Sequence, residues 1–239
     1  RKHFVTIDGS KTTEWVNFTE CSTNPLYPQG GTWIYDRAGW CPGAGASVIH
    51  SDVTNKITAG VPVLIEQGVE KDPTGTEYGS WNIECHFIGY DSPSYSLDAE
   101  MLDILSPNNW EYYGRMNPIC ANPVVVIRNS GSTDMTSAEI EFGTDGVGLR
   151  TIKWTGHLRF AETDTVLLPT ITDVLWNAKD SIGHFVARIK SVNGSTDEHK
   201  YNDQLRTRFN KVPAYPDELI ITFRTNTKEK ETSWNIKDQ

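Results

Sequence analysis

The chain has 239 residues, a net charge of −9 from 22 basic against 31 acidic side chains, and 37% hydrophobic against 22% charged residues. Such a balance belongs to a folded globular chain with a core to bury. The acidic surplus, without a large Lys/Arg cluster, excludes nucleic acid as the main partner. No stretch approaches the ~20 apolar residues of a membrane-spanning helix. Arg1-Lys2-His3 followed at once by a strand-like run is no signal peptide.

In chain order, "HFVTIDGS" opens a strand within a few residues of Arg1. In "WNIECHFIGY", Trp81, Ile83, Cys85 and Phe87 alternate with polar residues, which predicts a strand with one buried face. "DSPSYS" after Tyr90 reads as a joint, and "SPNNWEYYGRMNP" as a second irregular stretch. "LDAEMLDIL" and "DVLWNAKD" carry weak helical spacing. "NPVVVIRN", "AEIEF", "TVLLP", "GHFVARIKSV" and "DELIITFRTN" are β-branched or alternating runs bounded by turn residues. The class is all-β: a partial jelly-roll β-sandwich followed by an immunoglobulin-like β-sandwich. The expected divisions are 1–90, a linker at 91–122, a sandwich at 123–212, and the start of a further β domain at 213–239. Both ends read as parts of a longer secreted protein.

The four cysteines, Cys21, Cys41, Cys85 and Cys120, form no C-x-x-C pair, and the six histidines form no H-x-x-x-H pair, so a zinc site is not indicated. An even count at wide spacing favours disulfides and an oxidising compartment, hence a secreted or cell-surface protein. Asn17-Phe18-Thr19 and Asn193-Gly194-Ser195 fit the glycosylation sequon. Eight tryptophans are explained by buried cores or, more pointedly, by sugar-stacking surfaces.

The densest stretch is "GGTWIYDRAGWCPGAG", residues 30–45. Gly30-Gly31 and Pro42-Gly43 are turn formers. Cys41 can reach back to Cys21, and a bridge over that loop would contribute on the order of 3 kcal/mol. Arg37 suits a bidentate clamp on a carboxylate or amide. Equally, Asp36 and Arg37 could simply satisfy the backbone of their own loop.

"CSTNPLYPQ" and "GGTWIYDRAGWCPGA" closely resemble the signature loop of peptide-N-glycosidase F-like proteins, over about residues 1–90. The resemblance implies a C-terminal jelly roll, a Cys21–Cys41 disulfide, and bacterial secretion. It also implies action on the amide between asparagine and an N-linked glycan. Arg37 matches a residue near the glycan cleft, and Asp36 and Trp40 match loop-shaping neighbours. With Trp33 these form the candidate glycan-binding set. The family's catalytic carboxylates lie upstream, so no catalytic residue is assigned, and this chain alone is expected to be inactive. The related copper monooxygenases use a His-x-His pair, which is absent here, and no metal or cofactor is expected.

Residues 123–212 resemble the immunoglobulin-like adhesion domains of bacterial surface proteins, through "NPVVVIRNSGSTDMTSAEIEF", "WTGHL", "VLLP" and "VNGSTDEHKYND". Asn129-Ser130-Gly131 is expected as a hairpin turn, Trp154 and Leu158 as core anchors, Pro169 as the end of an edge strand, and Asn193-Gly194 as a tight turn. Asp197, Glu198, Asn202 and Asp203 are oxygen donors of the kind calcium uses, but their spacing is not that of an EF-hand loop. Cys85 either faces a core as a free thiol or bridges to Cys120. "RTNTKEKETSWNIKD" resembles the opening hairpin of repeated domains in secreted Bacteroidetes proteins. The expected partners are an N-linked glycan or glycoprotein and the remainder of a longer parent chain. A non-catalytic adhesion or glycan-binding protein using the jelly roll as scaffold is the alternative.

Overall fold

The computed structural model describes residues 2–23, 32–71, 82–116, 122–170 and 181–211, with isolated positions between 218 and 233. It is all-β, with short 3-10 segments at Cys21–Thr23, Thr54–Lys56 and Glu111–Met116.

The first sheet has the order β2-β1-β3, formed by β1 (Lys2–Ile7), β2 (Ser10–Val16) and β3 (Ile65–Val69). Asp8 and Gly9 both have positive φ, 47° and 76°, the conformation that lets a two-residue loop follow the right-handed twist of its strands. The turn is tied down from outside: Asp8 N–H donates to the Leu64 carbonyl at 2.9 Å, and Leu64 N–H to Asp8 Oδ1 at 3.0 Å. His3 and Ile7 are buried, and His3 stacks on Trp15 across the hairpin at 5.5 Å. Burial and the nearby N-terminal charge push the His3 imidazole below its ordinary value. On the other side, Lys2 and Lys11 grip Glu14 at 2.6 and 2.5 Å. Those two bonds pull its carboxyl down to about 2.

Among the described residues, the second unit is an antiparallel sandwich of seven strands. One sheet has the order β4-β5-β8, from β4 (Ala99–Ser106), β5 (Val124–Asn129) and β8 (Thr163–Leu167). The other has the order β10-β9-β6-β7, from β6 (Met135–Thr144), β7 (Gly148–Leu158), β9 (Ile182–Val192) and β10 (Gln204–Asn210). Met101, Ile104, Val125 and Ile127 of the first sheet share one core with Met135, Ile140, Phe142, Trp154, Phe185 and Ile189 of the second. Full burial of each such side chain contributes roughly 1.5–3 kcal/mol. Trp154 keeps its polar edge satisfied by donating from Nε1 to Asp164 at 2.8 Å. Buried Asn129 donates to the carbonyls of Thr133 and Leu158 and accepts from Gly131 N–H.

Several expectations are corrected. "LDAEMLDIL" is strand β4. Its register skips Leu102 between Met101 and Asp103, and a bulge of this kind turns an i, i+2 core spacing into i, i+3. That is why the buried pair Met101 and Ile104 imitates a helical repeat. The strand expected at 81–90 is not formed over 82–90, where Ile83, Phe87, Ile88 and Tyr90 are exposed. Among the described residues no strand runs beside it to take its backbone groups, and alternation alone cannot supply them. Asn129-Ser130-Gly131 is no hairpin turn, because β5 and β6 lie in different sheets; it carries the chain from one layer to the other. Within 91–122, expected as a linker, lie β4 and the Glu111–Met116 segment, and β4 pairs with β5. Trp154 and Leu158 are core residues as expected, and β8, ending just before Pro169, is an edge strand. "DVLWNAKD" and half of "DELIITFRTN" lie outside the described residues.

Candidate functional site

The loop after β2 is closed by a Cys21–Cys41 disulfide whose Cα atoms are 5.4 Å apart, with both cysteines buried. Beside the disulfide, Thr19, just ahead of the ring, and Arg37, within it, form an antiparallel bridge. Each N–H donates to the other's carbonyl, at 2.8 and 3.0 Å. Covalent closure and backbone pairing thus meet two residues from Cys21 and four from Cys41, which fixes where the Arg37 side chain starts. Past Cys41, Ala44 N–H returns to the Cys41 carbonyl at 3.0 Å, with Gly43 at φ 78°. This is the Pro-Gly turn the sequence predicts. Gly39 also has positive φ, 80°, and a Cβ there would collide with the side chain of Asn17. The Asn17 sequon residue therefore packs against this loop. Gly30 and Gly31 lie outside the described residues.

Arg37 is partly buried and turns back on its own loop. Its Nη2 donates to the carbonyl and Oγ1 of Thr32, at 3.0 and 3.3 Å, and its Cζ lies 5.1 Å from the Trp40 ring centroid. Its Nε is buried with no hydrogen-bond partner among the described residues. Trp40 presents the rest of its ring to solvent at 49% exposure, beside exposed Tyr35, while Trp33 is partly buried. Asp36 is exposed, and among the described residues no hydrogen bond or ion pair links it to Arg37. The structure thus joins Arg37 to Trp40 as one cation–π unit, an arrangement worth about 0.5–2 kcal/mol according to its desolvation. It does not join Asp36 to Arg37. Cys85 is an exposed free thiol, so neither the bridge nor the buried alternative is formed, and Cys120 lies outside the described residues.

A second polar cluster was only half visible in the sequence. Asp197, 3% exposed, accepts backbone N–H bonds from Ala99 and His199, both at 2.7 Å. Asn202 donates to Asp98 at 2.8 Å, and His199 lies 3.5 Å from the same carboxylate. Asp203 completes the group. Burial first, then the charges of Asp197 and Asp98, push its carboxyl up to about 7. "STDEHKYND" shows Asp197 and Asp203; Asp98, a hundred residues earlier in an unremarkable "SLDAE", gives no signal. Among the described residues no group of His, Cys, Asp or Glu has the arrangement of a metal site. Asn193 is likewise occupied. Its Oδ1 accepts from Thr136 N–H, Thr136 Oγ1 and Ser137 N–H, and its Nδ2 donates to the Asp134 carbonyl.

Residues 1–88 match the family described as "Peptide-N-glycosidase F, C terminal". The match ends just short of the sandwich and contains the whole disulfide ring. No curated protein matches the sequence. Among solved structures, the chain is similar to a domain from Methanosarcina acetivorans described as belonging to a cell surface protein. Identity is 14% and the TM-score 0.38, over 50% of this chain and 96% of that one. No helix of the described residues is long and apolar enough to cross a membrane.

Proposed function

With residues 1–88 identified as a C-terminal domain of the peptide-N-glycosidase F type, we propose that this segment is the glycan-facing part of a protein acting on or binding N-linked glycoproteins. That protein would be secreted or held at a bacterial cell surface, and the carboxylates for any amide cleavage would come from outside this chain. The observation that carries the reading is the Arg37–Trp40 pair on a disulfide-closed loop. A flat ring half open to solvent suits the apolar face of a sugar, and a fixed cation beside it suits an amide or hydroxyl oxygen. Preorganisation keeps the entropic cost of binding low. Residues from Tyr95 to Asn210 would serve as an immunoglobulin-like spacer or docking module. The support for that is the three-on-four antiparallel arrangement around one core.

The second reading, a non-catalytic adhesion or glycan-binding protein, is favoured by the Arg37 side chain being engaged by Thr32. A guanidinium already hydrogen-bonded within its loop is suited to shaping a surface more than to stabilising a transition state. Binding of the chain to a denatured N-glycosylated protein, compared with the same protein after glycan removal, tests both readings. Selective binding that Arg37→Ala and Trp40→Ala each weaken about tenfold is the expected result. Equal binding to both forms, or full affinity in Arg37→Ala with the disulfide intact, removes the loop from recognition. Glycan release by a longer parent protein that supplies those carboxylates, lost in Arg37→Ala, would decide for the catalytic reading over adhesion.

A further inference from the structure

The connection from β4 to β5 holds a cluster that neither the core nor the disulfide loop uses. Buried Asn108 pins it. Its Nδ2 donates to the carbonyls of Ile104 and Leu105, at 2.9 and 2.7 Å, and its Oδ1 accepts from Trp110 N–H at 2.8 Å. Just beyond, three aromatic rings meet. Trp110 lies 5.3 Å from Tyr112 and 5.2 Å from Tyr113, and the two tyrosines are 5.0 Å apart. Tyr113 donates its hydroxyl to Asp103 Oδ2 at 3.1 Å, while Asp103 Oδ1 accepts from Ile104 N–H at 2.7 Å. Burial and the Asp103 charge push the Tyr113 phenol up to about 12, so it remains a donor at any physiological pH. The rings are therefore fixed to β4 by both side-chain and backbone bonds.

Yet the largest of them is left in water. Trp110 is 61% exposed, and none of the three rings belongs to the buried core. Held this way, the indole contributes little to folding, which asks what it is held for. A protein partner is a poor fit. One open indole offers on the order of 150 Å², against the roughly 800 Å² each partner contributes to a stable interface. An anionic ligand is a poor fit too, since Asp103 and exposed Glu111 flank the rings in a chain of net charge −9. A small, uncharged, flat molecule with an apolar face and a rim of hydroxyls fits both features, its face stacking on the indole and its hydroxyls donating to those carboxylates.

We infer that Trp110, backed by Tyr112 and Tyr113, is a stacking platform for a neutral pyranose sugar, separate from the disulfide loop. The inference does not rest on the function proposed for residues 1–88. Titration of the whole chain with N,N′-diacetylchitobiose and with α-mannobiose, read from indole and backbone amide N–H signals in NMR spectra, tests it. The two sugars distinguish the core of an N-linked glycan from its mannose arms. A saturable shift of one indole signal is expected with at least one sugar, and that signal should vanish in Trp110→Phe. Trp110→Ala should weaken binding at least about tenfold, with an unchanged unfolding midpoint. If alanine lowers the midpoint, Trp110→Phe supplies the comparison, since it keeps a ring but shrinks the platform and should bind more weakly than the parent. No saturable shift up to about 50 mM of either sugar overturns the inference. So does equal affinity in the Trp110 variants, or a shift abolished by Trp40→Ala but not by Trp110→Phe.

Discussion

Asp203 offers a direct test of the electrostatics of the sandwich. Its carboxyl is moved from an ordinary 3.8 to about 7, chiefly because it is withdrawn from water and faces Asp197 and Asp98, with His199 and Lys200 offsetting only part of this. A raised carboxyl binds its proton more tightly in the folded chain than in the unfolded one. Between pH ~4 and ~7 the folded state holds that proton and the unfolded state does not, so this residue's contribution to stability falls as pH rises through that window. Full linkage would amount to about 4 kcal/mol at 1.36 kcal/mol per pH unit. Part of the side chain reaches solvent, and screening reduces the expected effect to about 1–2 kcal/mol. Asp203→Asn keeps the shape and removes the titration. Urea unfolding followed by circular dichroism should therefore show the variant more stable than the parent by that amount at pH 8. The difference should shrink toward zero at pH 4.5. Asp197→Asn is the contrast: Asp197 accepts two backbone N–H bonds, an amide oxygen can keep only one of them well, and a loss of about 1–3 kcal/mol follows at pH 8. A constant difference between Asp203→Asn and the parent at every pH, or a parent that outperforms the variant increasingly toward pH 8, refutes the reasoning.

Two further substitutions probe the loop and the turn. Cys21→Ala with Cys41→Ala opens a ring whose ends are 20 positions apart. This should cost about 3 kcal/mol in the first unit, read as a lower thermal midpoint and faster proteolysis within the ring. Unchanged proteolysis would mean that the Thr19–Arg37 bridge alone orders the loop. Asn193→Ala removes three accepted bonds and one donated bond and leaves a left-handed φ of 51° without the side chain that tolerates it. A loss of about 2 kcal/mol is expected in urea unfolding, and Asn193→Gly should recover only the conformational share of it.

What the sequence made legible divides along one physical line. Signals that a residue carries in itself came through. Pro42-Gly43 makes a turn whatever surrounds it, Asn193-Gly194 accepts positive φ, and Ile140, Phe142, Phe185 and Ala187 alternate because a two-layer sandwich has one wet face. The Cys21–Cys41 ring was legible for the same reason: two cysteines flanking an aromatic, glycine-rich loop, with no partner for a metal site nearby in sequence, read as a disulfide. Signals that depend on a partner far along the chain did not come through. Met101 and Ile104 look helical until Ile127 and Val125 are seen opposite them with Leu102 bulged out. Residues 82–90 look like a strand until the absence of a described neighbour is noted. At the candidate site the sequence supplied Arg37 and Trp40 but not their relation. Arg37 was as compatible with clamping a ligand as with tying up its own loop, and the geometry shows it bonded to Thr32 while still lying over Trp40. The two acts are compatible. A guanidinium anchored on one edge by the Thr32 carbonyl holds its plane against the indole, and that rigidity is what a stacking surface for a sugar requires. The Trp110 cluster follows the same pattern with Asn108 and Asp103 as anchors, and in both places the anchoring polar bond, not the aromatic residue, is the part that sequence periodicity cannot display.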